Sequence, residues 1–126
     1  MVPQTLRKAF FIHFWVDMIF AIPLFLWPVW FMGLFGFSTI EPITARLVAA
    51  ALFGIGGVSL IVRNASKEIF EALLKLKLIW SGFAVLGIGM GYLDGAPESA
   101  LLFLGIFVLF FVTWLSFLMM LRKQSN

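Results

Sequence analysis

His13 and Asp17 are the side chains in this sequence best equipped for chemistry. An imidazole and a carboxylate four positions apart fall on one face of a helix. Such a pair can hold or pass a proton, or bind a small cation. Asp17 lies about seven residues inside an apolar stretch that opens at Phe10, hence about 10 Å below its boundary. A carboxylate at such a depth in lipid costs about 2–3 kcal/mol even on the lenient insertion scale. It must be protonated, paired or reached by water. The functional reading is a proton or cation site, or the polar end of a ligand cavity. The packing reading is a polar pair that hydrogen-bonds to neighbouring helices. We favour packing, although an ionisable residue inside a membrane is by default a functional candidate.

Further polar groups belong at a matching depth. Lys77, Ser81, Thr113 and Ser116 complete a candidate intramembrane cluster with His13 and Asp17, and Ser59 and Arg63 lie near the end of another helix. The Asp17 carboxyl is expected to point into the bundle and touch at least one of His13, Lys77, Ser81, Thr113 or Ser116. For Lys77, a stem long enough to carry its ammonium to the headgroups favours snorkelling over a salt bridge to Asp17. Arg46 is the second exception, a cation at the acidic outer surface. It is expected to form an outer-edge ion pair with Glu98 or Glu41.

Other chemistries are excluded by composition. There is no Cys and a single His, so thiolate catalysis, disulfides and a His- or Cys-rich metal site have no ligands. No phosphate loop, nucleophile elbow or HExxH motif is present. Hence no catalytic, cofactor-binding or metal-binding residues are assigned, and no cofactor is expected.

The elements that must position these residues are apolar. The 126 residues are 63% hydrophobic and 12% charged, against about 45–50% and about 25% in soluble domains. A chain this short cannot bury so much apolar surface by itself. Four stretches of about 20 residues match a hydrocarbon core of about 30 Å: 10–32, 43–62, 73–93 and 100–121. Lipid forbids unpaired strands, and the period-two alternation of a barrel is missing. The expected fold is therefore an all-α integral membrane protein. It is read as an antiparallel four-helix transmembrane bundle with short loops, in one domain spanning 1–126.

Caps and breaks follow from the connections. Ser38 and Thr39 suit a helix cap ahead of Pro42, and Gly95 and Pro97 break the chain before the last helix. Pro23 and Pro28 should kink the first helix. Glu71 and Lys75 form a favourable i,i+4 pair in a polar turn leading into the third. Small residues mark helix contacts. The second helix has Ala50 and Gly54 at spacing four, Ala49 and Gly57 eight apart, and Gly56. The third has Gly87, Gly91 and Gly95 at spacing four, with Gly82 and Gly89 nearby. Ala50, Gly54 and Gly57 against Gly87 and Gly91 predict that these two helices touch, or that they form a homodimer face.

Orientation follows from the cations. Arg7, Lys8, Arg63, Lys67, Lys75, Lys77, Arg122 and Lys123 fall on one side and only Arg46 on the other. The positive-inside rule puts the larger set in the cytoplasm. The chain is read as a multi-pass protein of the cell (inner) membrane with both termini cytoplasmic. Topology accounts for the net charge of +3, so no nucleic-acid partner is expected. The expected partners are the lipid bilayer and a second or further copy of the chain.

Three functions compete. A non-enzymatic role leads, as a structural or accessory subunit or a binder of lipid or small molecules, because charged groups are few and catalytic pairs absent. A small transporter or channel using Asp17 and His13 for proton or cation coupling is the alternative. An enzyme acting on a lipid-like substrate comes last.

Overall fold

The computed structural model describes residues 2–125 as helices and short turns. In chain order these are α1 Gln4–Leu26, α2 Pro28–Gly33, α3 Pro42–Ile61, α4 Lys67–Leu93 and α5 Ala100–Ser125. Three of them, α1, α3 and α5, are long and apolar enough to cross a membrane. α4 has the length, at 27 residues. Its first turns carry Lys67, Glu68, Glu71, Lys75 and Lys77, and Gly82, Gly87, Gly89 and Gly91 thin its apolar character.

Five helices stand where four are expected, because the first is broken. Trp27 adopts φ −135°, ψ 63°, as a residue ahead of proline is pushed out of the helical region. Pro28 then opens α2 at the position where a missing N–H does no harm. Pro23 stays inside α1. The Trp27 N–H still reaches the Pro23 carbonyl at 2.8 Å, and the Phe31 N–H reaches the Trp27 carbonyl at 2.9 Å. The expected pair of kinks is thus one tolerated proline and one break.

Local chemistry sets the other ends. Ser38 and Thr39 do not cap α3. Glu41 does, its carboxylate accepting from the Ile43 N–H at 3.1 Å, the Thr44 N–H at 2.7 Å and the Thr44 hydroxyl at 2.9 Å. These bonds, the Thr44 N–H foremost, hold the Glu41 carboxyl below its ordinary range. α4 starts six residues before Leu73, absorbing the polar turn. In its first turn, the Glu68 carboxyl is lowered chiefly by its own backbone N–H and then by the Ser66 hydroxyl. At its far end the Ala96 N–H bonds the Gly91 carbonyl and the Gly95 N–H bonds Tyr92, with Gly95 at φ 103°. This double closure needs a left-handed residue, which glycine supplies. α5 runs on past Leu121, and its last turn places Arg122 and Lys123 at the negative end of the helix dipole.

The chain divides into two compact units, Pro3–Asn64 and the stretch from Ala65 onward. In the first, α1 and α3 run antiparallel. Arg7 bonds the Arg63 carbonyl at one end, and Phe25 meets Phe53 edge-on at 5.9 Å towards the other. Leu24, Ala45 and Ala49 form a core cluster there, covered by Phe31, Met32 and Ile40. In the second unit α4 and α5 pack antiparallel, with Trp80 edge-on to Phe107 at 6.4 Å.

α1, α3 and α4 each bury one stripe at spacings of three and four. In α1 it is Leu6, Phe10, His13, Asp17, Ala21 and Leu24, and in α3 it is Ala45, Ala49, Leu52, Gly56 and Ser59. Those stripes hold the buried polar side chains His13, Asp17, Ser59, Lys77 and Ser81, while Ile12, Ile19, Leu47, Ile61, Phe83 and Leu109 face outward. Polar groups inside and large apolar groups outside is the distribution of a protein solvated by lipid.

Candidate functional site

The structure brings His13 and Asp17 together. The spacing of four stacks them on the buried face of α1, and His13 Nε2 lies 3.3 Å from Asp17 Oδ1. Both residues are buried, at 3% and 4% exposure. With a proton on His13 the pair is an ion pair, and without it a carboxylate faces a neutral imidazole. The second carboxyl oxygen is the notable atom. Among the described residues Asp17 Oδ2 is buried with no hydrogen-bond partner. Buried polar atoms are nearly always bonded, so one that is not calls for a proton, a water or an ion to complete it.

α3 closes the pair from one side. A Cβ on Gly56 would stand 2.7 Å from Asp17 Cβ, 3.0 Å from Asp17 Oδ2 and 3.2 Å from Met18 Cε. Only a glycine admits α1 this closely. Gly56 is one of the small residues of the second apolar stretch, though not among the positions predicted to make the contact. The positions that were, Gly54, Gly57, Gly87 and Gly91, have nothing within 4 Å of where a Cβ would sit, and Ala50 is exposed. None of these positions marks a close approach within its own unit. In the first unit the close approach belongs to Gly56 on α3 against α1. In the second it belongs to Gly82 on α4, where a Cβ would lie 3.3 Å from the Phe111 ring of α5.

Lys77 and Ser81 fall in the other unit, as a second buried polar group. Lys77 is 1% exposed, so its ammonium does not snorkel to water. Its Nζ sits 5.0 Å from the centroid of the Trp114 ring, which is itself stacked on Phe110 at 5.8 Å. An ammonium over an indole face is attracted by the ring quadrupole, most strongly when water is excluded. The Ser81 hydroxyl donates to the Lys77 carbonyl at 2.8 Å. Thr113 and Ser116 are satisfied by their own helix, donating to the Leu109 and Val112 carbonyls at 2.8 Å each. Ser59 likewise donates to the Ile55 carbonyl at 2.9 Å. Hydroxyls bonded one turn back need no partner on another helix.

Arg46 and Glu41 take different partners. Arg46 Nε donates to the Phe25 carbonyl at 2.9 Å, while the Glu41 carboxylate is committed to the cap of α3. Phe25 belongs to the last turn of α1, whose carbonyls lack partners within the helix, and α1 has no basic residue of its own there. Arg46 supplies that charge from α3. Glu98 is an exposed residue of the second unit.

Sequence reasoning named Gly56 without placing it at the contact, and it missed Trp114. Gly56 could have been placed by extending the three-and-four spacing of Ala45, Ala49 and Leu52. Trp114 had no local signal. Among the described residues no three His, Asp or Glu side chains gather as a metal site would require. No protein-family model matches the chain, and no curated protein or solved structure matches it.

Proposed function

We propose that this chain is a non-enzymatic integral membrane protein that crosses the bilayer four times, with both termini in the cytoplasm. In this reading α1 with α2, α3, α4 and α5 form the four spans, and the protein serves as an accessory subunit or lipid-binding module. The His13–Asp17 pair is its polar packing element. One observation carries this reading: Gly56 lies against Asp17 so closely that not one carbon atom fits between them. A carboxylate presented to packed backbone has no room on that side for a lipid-like substrate. The open faces around Gly54 and Gly87 are where a second copy would pack.

The unbonded Asp17 Oδ2 favours a second reading, in which the pair takes up a proton or small cation during transport. Asp17→Asn separates the two. Under the packing reading the variant folds as well or better, since a neutral group replaces a buried charge, and reconstituted vesicles show the same ion permeability as with wild type. A folded variant that abolishes a proton or cation flux seen with wild type replaces packing by transport. Orientation is tested by single cysteines. A cysteine at Ser38 should react with an impermeant reagent on intact cells, and a cysteine at Asn126 should not.

A further inference from the structure

We propose that the end of the first unit at which Arg7 meets Arg63 binds the phosphate headgroup of an anionic phospholipid. An open cleft of about 490 Å³ lies there, lined by Gln4, Arg7, Lys8, Phe11, Arg63 and Asn64. Three of those side chains are cations and none is an acid. The only carboxylates of Pro3–Asn64 are Asp17 and Glu41. Asp17 lies ten residues from Arg7 along α1, about 15 Å away, and Glu41 caps the opposite end of α3. The first turn of α1 carries no acidic residue either.

A topological bias would put cations at this end, but it would not gather them from two helices around one cleft. Local bonds hold the two arginines there. Arg7 donates to the Arg63 carbonyl, and Arg63 donates to the Leu60 carbonyl at 3.3 Å. A guanidinium has five N–H donors, so a bond to a carbonyl orients the fork without exhausting it. Guanidinium forks match phosphate oxygens two at a time, and Lys8 adds an exposed point charge.

Phe11 decides between a lipid and a free phosphate. It lies four residues from Arg7 on the same face of α1 and is 46% exposed. Cations at the rim and an aromatic ring below suit an amphiphile, with its phosphate at the boundary and its acyl chain along the ring. A soluble anion gains nothing from the ring. Basic clefts at the ends of membrane helices take anionic headgroups by this same complementarity.

The inference rests on the membrane-embedded reading. Native mass spectrometry of the full-length protein in detergent, titrated with phosphatidylglycerol or phosphatidylcholine, tests it. Phosphatidylglycerol should be retained in preference, and each of Arg7→Gln, Lys8→Gln and Arg63→Gln should weaken retention about fivefold. Lys8→Gln leaves the two carbonyl bonds in place, so it remains informative should Arg63→Gln unravel the end of α3. Excess inorganic phosphate should fail to displace the lipid. Equal retention of the two lipids, or unchanged retention in a folded Lys8→Gln protein, overturns the proposal. Displacement by inorganic phosphate overturns the lipid assignment in favour of a soluble anion. Either result in a protein that still needs detergent to stay dispersed leaves the membrane reading intact. A chain that stays dispersed in plain buffer removes that reading itself.

Discussion

Asp17 occupies the space that a side chain at position 56 would fill, with its Cβ 2.7 Å from where the Cβ of that residue would be. Gly56→Ala must therefore push α1 and α3 apart. Alanine in place of glycine gains about 1 kcal/mol of helix propensity, but overpacking a close contact typically costs about 1–3 kcal/mol. Gly56→Ala should lower the thermal stability of the protein in detergent. Gly54→Ala, where a Cβ meets open space, should be neutral or stabilising. Identical melting curves for the two variants would contradict the close approach.

Lys77 and Trp114 should be energetically coupled. A double-mutant cycle with Lys77→Met and Trp114→Leu isolates the ammonium–indole term from the loss of indole packing. Coupling of about 2 kcal/mol is expected for a contact shielded from water. Additive effects would mean that the charge contributes nothing across the ring.

Arg46→Gln should loosen the end of α1. The substitution removes a charged donor from the Phe25 carbonyl, and at an exposed site a loss of about 1 kcal/mol is expected. Hydrogen exchange should quicken in the last turn of α1 and in α2, with the centre of α3 unaffected. Protection that rises or stays level around Trp27 would show that Arg46 does not cap the helix.

Glu41 makes the start of α3 sensitive to acid. Its folded-state carboxyl is lowered, so the stability it contributes is fully present above the unfolded glutamate value of about 4.3. That stability is lost as pH falls through the lower folded value. Wild type should therefore be more stable than Glu41→Ala near neutrality, and the difference should close as pH drops below about 4. A gap between the two melting temperatures that is constant from pH 7 to pH 3 would exclude a charged cap.

Several of these features were legible in the sequence, and physical reasons separate those that were not. The apolar stretches located the helices, with ends up to six residues off and with the first stretch holding two helices instead of one. The spacing of four put His13 beside Asp17. Periodicity says which residues share a face, but not which face turns towards a neighbour. Gly54 and Gly56 are about 200° apart around the helix at about 100° per residue, so α3 carries small residues on more than one side and only the packing of α1 singles out Gly56. Pro28 was visible as a breaker, yet the carbonyl it helps to orphan is answered by Arg46, 21 residues further along. Lys77 likewise finds its ring 37 positions away. Contacts of this kind depend on how helices pack, and no local pattern announces them.

The division at Asn64 bears on how the protein is made. Every group that brings α1 and α3 together, from the Arg7–Arg63 bond to the Gly56–Asp17 approach and the Arg46 cap, lies in the first half of the chain. A nascent chain can therefore close this hairpin in the translocon while α4 is still being translated. Asp17 meets its imidazole within α1 itself, and units that mature in order of synthesis then bring Gly56 against it before the second half of the chain arrives. In the four-span topology proposed above, α4 and α5 follow as a second hairpin, with Lys77 set against the Trp114 ring of the same unit.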